Sequence, residues 1–204
     1  MGVTTKIKNL FFVRFRIWKY NLLSDCANVI GKPKLFHPLL LKGKGKISFG
    51  SGVQVGVIAA PMFYSHYAYL EARNQESEIS IGNNVTINNS FSAEAFSKIT
   101  IQDNVLFGIN CSIIDNDGHD LDVEKRTTEE PKSVPVLIEN NVFIGDNVVI
   151  LKGVTIGENS VIGNGSVVTS TIPKNVIAAG NPAKVKARSK FATKPKNTAP
   201  NLSS

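Results

Sequence analysis

Residues 138–168 read IENNVFIGDNVVILKGVTIGENSVIGNGSVV. Ile138, Ile144, Ile150, Ile156, Ile162 and Val168 stand six apart without exception. A second ladder, Val142, Val148, Val154, Ser160 and Ser166, follows four residues behind with the same period. Turn formers recur between them, as in Gly145-Asp146-Asn147, Gly157-Glu158-Asn159 and Gly163-Asn164-Gly165. An α-helix turns every ~3.6 residues, so a six-residue stripe would wander round it. Hairpins would show alternating strands broken by irregular turns. The period instead requires short strands, each pointing one large aliphatic inward, joined by tight corners. Three such strands make one triangular coil, and stacked coils bury a continuous aliphatic column. β-branched residues suit those strands, and Gly and Asn suit corners that need positive φ.

Working outward, the repeat persists more loosely. Ile81 and Ile87 are six apart, as are Ile101, Phe107 and Ile113; Val105 and Cys111 continue the second ladder, which makes Cys111 a small inward-facing residue. Ile47, Phe49, Val53 and Val57 suggest one further partial coil. The expected solenoid runs from about residue 45 to 173, with loops at 58–78 and 115–135 where the period fails. The first loop is aromatic, with Tyr64, His66, Tyr67 and Tyr69. Packing of its rings on the coil is favoured over a ligand-lining role. The expected organisation is a 1–44 N-terminal basic and aromatic segment, a 45–188 all-β solenoid, and a flexible 189–204 tail. Residues 6–23 carry a helical stripe, Ile7, Phe11, Phe15, Trp18 and Leu22, although Val13 to Ile17 also alternates like a strand; helix is favoured.

Charge divides along the chain. Residues 1–50 hold ten Lys and Arg against Asp25 alone, residues 51–183 hold seven basic and fifteen acidic, and residues 184–204 hold six basic and none acidic. The net +7 therefore belongs to the ends, which suit a membrane surface, a phosphate-bearing cofactor or nucleic acid, or simply a solvated face. No apolar run approaches the ~18 residues of a transmembrane helix, and Arg14, Arg16 and Lys19 interrupt any signal-peptide pattern. A cytoplasmic protein is expected. Cys26 and Cys111 are the only cysteines, too few for a disulfide framework and without metal-ligand spacing.

Residues 119–126 read His119-Asp120-Leu121-Asp122-Val123-Glu124-Lys125-Arg126. This resembles the H-x-x-D-x-x-x-R signature of the galactoside, maltose and nodulation-type sugar O-acetyltransferases, members of the hexapeptide-repeat acyltransferases. Residues 143–184, ending in Ile172-Pro173-Lys174-Asn175 and Gly180-Asn181-Pro182-Ala183-Lys184, resemble the acetyl-CoA half of that family. The resemblance covers about residues 45–188. Within the family, the N-terminal segment and the Asp115-to-His119 stretch are most similar to enzymes acting on capsule, O-antigen or exopolysaccharide sugars.

The resemblance implies a left-handed parallel β-helix, acetyl-CoA as acyl donor with no metal, a sugar or glycan acceptor, and a homotrimer with sites between subunits. It gives His119 the place of the catalytic base and Asn88 that of a substrate-binding asparagine; Asn89 would serve if the alignment slips by one. Asp146, Asn164, Thr169, Ser170 and Lys184 match positions that touch acetyl-CoA, and Gly145 offers a backbone oxyanion donor beside them. Phe143 stands where tryptophan is usual, Asn164 where alanine is usual, and Ala187 where arginine is common. Lys186 or Arg188 could supply that last charge.

The chemistry fits those residue types. A sugar hydroxyl needs a base to attack a thioester at neutral pH, and histidine titrates in the useful range. The tetrahedral oxyanion needs a donor. Asp115 and Asp117 are candidates to orient His119, or are plain turn residues; Asp122 and Arg126 are expected to pair and shape the loop. His37 and His66 read as structural. A zinc site on this fold would need grouped histidines, which these are not. A non-catalytic scaffold and an N-acetyltransferase acting on an amino sugar are the competing functions. For residues 6–23, packing against the solenoid is favoured over peripheral membrane contact. No nucleic-acid partner is expected.

Overall fold

The computed structural model describes residues 10–58 and 60–188. The expected 189–204 tail, and the start of the 6–23 segment, lie outside the described residues. The expected left-handed parallel β-helix is the architecture observed. Its first coil comprises β1 (Asn28–Ile30), β2 (Lys34–Leu35) and β3 (Leu39–Lys42). The second holds β4 (Lys46–Phe49), β5 (Gln54–Val55) and β6 (Ala68–Ala72); the third, β7 (Glu78–Ile81), β8 (Thr86–Ile87) and β9 (Ser92–Ala95). The fourth holds β10 (Lys98–Ile101), β11 (Leu106–Phe107) and β12 (Ser112–Ile114). The fifth holds β13 (Val136–Ile138), β14 (Phe143–Ile144) and β15 (Val149–Ile150); the sixth, β16 (Thr155–Ile156), β17 (Val161–Ile162) and β18 (Val167–Val168). Then β19 (Val176–Ala179) and antiparallel β20 (Lys184–Arg188) close the end.

Each coil contributes one strand to each of three parallel faces. β1 opens the first face, β2 the second and β3 the third. In-register pairing stacks the ladder residues into columns: Val55, Ile87, Phe107, Ile144, Ile162 and Ala178 on the second face, and Leu70, Ala93, Ile113, Ile150 and Val168 on the third. All of these are buried. Each fully buried isoleucine contributes about 2 kcal/mol by removal from water. Cys111 is buried as expected; its Sγ meets the Gly145 carbonyl at 3.0 Å, and burial pushes the thiol up to about 11.

The corners explain the Asn-rich spacing. Asn84, Asn104, Asn141, Asn159 and Asn175 all hold positive φ between the first and second faces, a conformation asparagine tolerates. Their amides also bond along the stack, Asn141 Nδ2 to Asn159 Oδ1 at 2.8 Å and Asn159 Nδ2 to Asn175 Oδ1 at 2.9 Å.

Two expectations change. The 1–44 segment is not separate from the solenoid, because β1 to β3 form a complete first coil starting at Asn28. Val29, Leu35 and Leu41 are its inward residues, packed on the core yet half-exposed because no further coil stacks below them among the described residues. The aromatic loop is shorter than 58–78: β6 takes up the repeat at Ala68 and places Tyr69 on a strand.

A π-helical turn, Leu10–Arg14, runs into α1 (Phe15–Leu23), giving the helix expected within 6–23. Val13, Arg16, Ile17 and Tyr20 form its inward side. Arg16 donates to the carbonyls of Phe63 (3.1 Å), Ser65 (2.8 Å) and His66, and Tyr20 stacks on Tyr67 with ring centres 4.5 Å apart. The stripe Phe11, Phe15, Trp18 and Leu22 points the other way and is exposed, so the side expected to pack is the side that does not. Among the described residues, no helix is long and apolar enough to cross a membrane.

Candidate active site

The 115–135 loop leaves the third face after β12 and returns to the first face at β13. Its stem is tightly held. Val134 N–H donates to the Asp115 carbonyl at 2.7 Å, and Asn116 bridges Ser133. Asp115 is fully buried; its carboxylate accepts Phe96 N–H at 2.8 Å and Ser97 N–H at 2.7 Å. Asn116 Oδ1 accepts Gly118 N–H at 2.7 Å. Asp117 is ion-paired with Lys152, tying the loop to the fifth coil. These bonds fix the turn that presents His119.

His119 is exposed, and its Nδ1 lies 3.1 Å from the Arg126 carbonyl. A carbonyl only accepts, so Nδ1 carries a proton, and in the neutral ring the lone pair is then on Nε2. That is the tautomer a general base requires. The ring opens on a cleft of about 410 Å³ lined by Arg73, Phe96, Arg126, Thr128 and Glu129 among others. Arg73 lies over the Phe96 ring, 4.6 Å from its centre, and pairs with Glu71 at 3.0 Å. Neighbouring Glu94 has its pKa raised, first by desolvation and then by Glu71.

Neither aspartate is the partner of His119. Asp115 is spent on the 96–97 turn and Asp117 on Lys152; the Arg126 backbone orients the ring instead. The expected Asp122–Arg126 pair is likewise not made among the described residues. Asp122 accepts Glu124 N–H at 3.0 Å, and Arg126 donates to the Leu121 carbonyl at 3.3 Å. Both side chains shape the loop through its backbone.

The remaining positions sit elsewhere on the prism. Asn88, Gly145, Asp146 and Asn164 occupy corners between the second and third faces, whereas His119, Thr169 and Ser170 lie where the third face turns back to the first. One chain therefore separates them along two different edges. Lys184 is exposed on β20; bonds from Val167 to Gly180 and from Ala183 to Val167 bring that strand back beside the Asn164 corner.

Asn88 and Asn89 part clearly. Asn89 is fully buried; its Nδ2 donates to the carbonyls of Val57 (3.1 Å) and Pro61 (2.9 Å), and its Oδ1 accepts Val57 N–H at 3.1 Å. It pins the loop after β5, and its burial keeps it from a ligand. Asn88 is half-exposed, and among the described residues its Oδ1 accepts only the adjacent Asn89 N–H.

Gly145 cannot be the oxyanion donor suggested by the sequence, since its N–H is given to the Ile162 carbonyl at 2.8 Å. Its glycine identity has a packing reason: a Cβ there would lie 2.2 Å from Asn164 Oδ1. That oxygen caps Asp146 N–H at 2.9 Å, and Asp146 Oδ1 in turn accepts Ile109 N–H at 2.9 Å. Asn164 thus replaces the usual alanine by joining this corner stack. Arg73 and Phe96 were missed in the sequence because they border the cleft from other coils and belong to no motif. His37 is buried, donating through Nε2 to the Ser65 carbonyl at 3.0 Å, while Nδ1 lacks a partner among the described residues.

Residues 135–170 match the family model described as bacterial transferase hexapeptide (six repeats). A Saccharomyces cerevisiae protein described as a candidate acetyltransferase is 44% identical over 172 residues, covering 84% of this chain and 78% of the yeast protein. The chain belongs to the hexapeptide-repeat acetyltransferases. Galactoside O-acetyltransferase of Escherichia coli is 48% identical over 109 residues, covering 53% of each chain, so the match spans about half of that enzyme. A solved galactoside acetyltransferase in complex with coenzyme A superposes with a TM-score of 0.54 at 38% identity, covering 69% of this chain and 64% of that one. As a member of this family the chain is an acetyltransferase.

Proposed function

We propose that the protein moves the acetyl group of acetyl-CoA to a sugar hydroxyl, within capsule, O-antigen or exopolysaccharide assembly, with His119 Nε2 as general base. The observation that carries the reading is the Nδ1-to-Arg126 hydrogen bond, which in the neutral ring places the lone pair on Nε2, at the mouth of the loop-walled cleft. In the step, Nε2 takes the acceptor hydroxyl proton as its oxygen attacks the thioester carbonyl. Collapse of the intermediate expels the CoA thiolate, and the imidazolium returns the proton to it. No covalent enzyme intermediate is needed, and the buried Cys111 is unsuited to forming one.

The donor reading is supported by the relative solved with coenzyme A. The O-acetyl reading is supported by the 48% identity to the galactoside enzyme. Transfer to an amine is the second reading. A Staphylococcus carnosus N-acetyltransferase is 58% identical, but over 57 residues covering only 28% of this chain. We further propose a homotrimer: in one chain Asn88 and His119 lie on different edges of the prism, and assembly round a threefold axis can bring the edge of one chain to the other edge of its neighbour.

The test is acetyl-CoA turnover with matched hydroxyl and amino sugars, with products identified by mass and NMR. An O-acetyl ester is expected, and His119→Ala should lower kcat by about 10²–10⁴-fold, the usual worth of a general base. Amide products alone would establish the second reading. Turnover within a few-fold of the wild type in His119→Ala would remove His119 from the mechanism.

A further inference from the structure

The outward side of the N-terminal helix displays a run of exposed apolar side chains. Leu10, Phe11, Phe12, Phe15, Trp18, Leu22 and Leu23 are all more than half exposed, Trp18 at 58% and Leu22 at 70%. Nothing in Leu10–Leu23 is buried. A surface helix ordinarily turns its apolar stripe to the core, and contiguous exposed apolar surface marks an interaction site. Here the helix is held the other way round. Arg16 is fixed by three loop carbonyls and Tyr20 by Tyr67, so the side that carries them, with Val13 and Ile17, faces the protein, and the broader apolar side is displayed.

The charge around the face names its partner. Arg14 and Lys19 are exposed on the same helix, and Lys32 lies beside Ile17 and Asn21 in the groove below it. Residues 1–50 hold ten cations against one acid. Two copies meeting through this face by a twofold axis would bring those cations together, which is repulsive. Rings and aliphatics bordered by Lys and Arg suit the boundary between acyl chains and anionic headgroups. At 14 residues and a rise of about 1.5 Å each, the helix is about 21 Å long, enough to lie along a bilayer surface but not to cross it.

We propose that Leu10–Leu23 is an amphipathic membrane-surface helix that seats the enzyme on anionic lipid, with Phe11, Phe15, Trp18 and Leu22 entering the interface and Arg14 and Lys19 contacting headgroups. The face is independent of the His119 cleft, so this proposal and the acceptor assignment stand or fall separately.

Trp18 is the only tryptophan in the chain and reports directly on the face. The full-length protein is mixed with phosphatidylcholine vesicles with and without phosphatidylserine, then followed by flotation and Trp18 fluorescence. Co-flotation with the anionic vesicles and a blue shift of Trp18 are expected. Arg14→Gln with Lys19→Gln should weaken partitioning about 30-fold, at the typical contribution of a cation near such a surface. Phe15→Ser with Leu22→Ser should abolish flotation while melting temperature and turnover on a water-soluble acceptor hold, because neither side chain is buried. An intact protein that does not float overturns the proposal. So does a Trp18 already blue-shifted without vesicles in a concentration-dependent assembly, which would make the occupant a second copy. If the serine variant misfolds, wild-type flotation and fluorescence still decide the matter.

Discussion

Asn88 and Asn89 are adjacent in the sequence, yet the structure gives them opposite work, and a pair of alanine substitutions separates the two. Asn89→Ala removes two bonds to carbonyls and one from Val57 N–H, all at a fully buried position. At about 1 kcal/mol net for each bond, with further cost for any buried group left unpaired, the loss is about 3 kcal/mol. For a chain of this size that lowers the melting temperature by about 6–12 °C. Asn88→Ala removes one local contact at a half-exposed site and should cost no more than about 1 kcal/mol. Its effect should fall on turnover of the acceptor. Thermal unfolding and steady-state kinetics on both variants make the comparison. Comparable destabilisation by the two variants would refute the assignment, as would an Asn89→Ala protein of normal stability whose turnover has collapsed.

Two further outcomes follow from the same geometry. Lys184→Glu, on the exposed β20 strand, should raise KM for acetyl-CoA far more than KM for the acceptor, with the wild-type KM rising as salt screens the CoA phosphates; equal effects on both substrates would remove Lys184 from that role. Because Asn88 and His119 occupy different edges of one chain, inactive Asn88→Ala and His119→Ala proteins should regain part of their activity when dissociated and reassembled together, whereas a stable, fully active monomer would refute sites shared between subunits.

The six-residue period made the solenoid legible because β-helix coils obey a local rule. Each strand needs one inward aliphatic, each corner a residue tolerant of positive φ, and both demands are written at fixed spacing. The first coil follows the same rule: Val29, Leu35, Leu41 and Ile47 are six apart. It was obscured by lysines at the corners and on the outer faces, which made the segment resemble a charged appendage. Local spacing also identified the loop that carries His119, since the loop is where the ladder breaks. The partners of that loop follow from contacts between coils. Asp115 reaches back to the turn at 96–97, Asp117 across to Lys152, and Arg73 and Phe96 border the cleft from earlier coils; no sequence spacing encodes those distances. The same limit applies to the helix. The stripe is legible in the residues, but an apolar stripe alone does not say whether the core or another surface receives it. The polar residues opposite decide: Arg16 finds three carbonyls in the 63–66 loop, and once that side is committed the rings of Phe11, Phe15 and Trp18 can only face outward. In this chain the orientation of an apolar face is set by the hydrogen bonds of its polar neighbours.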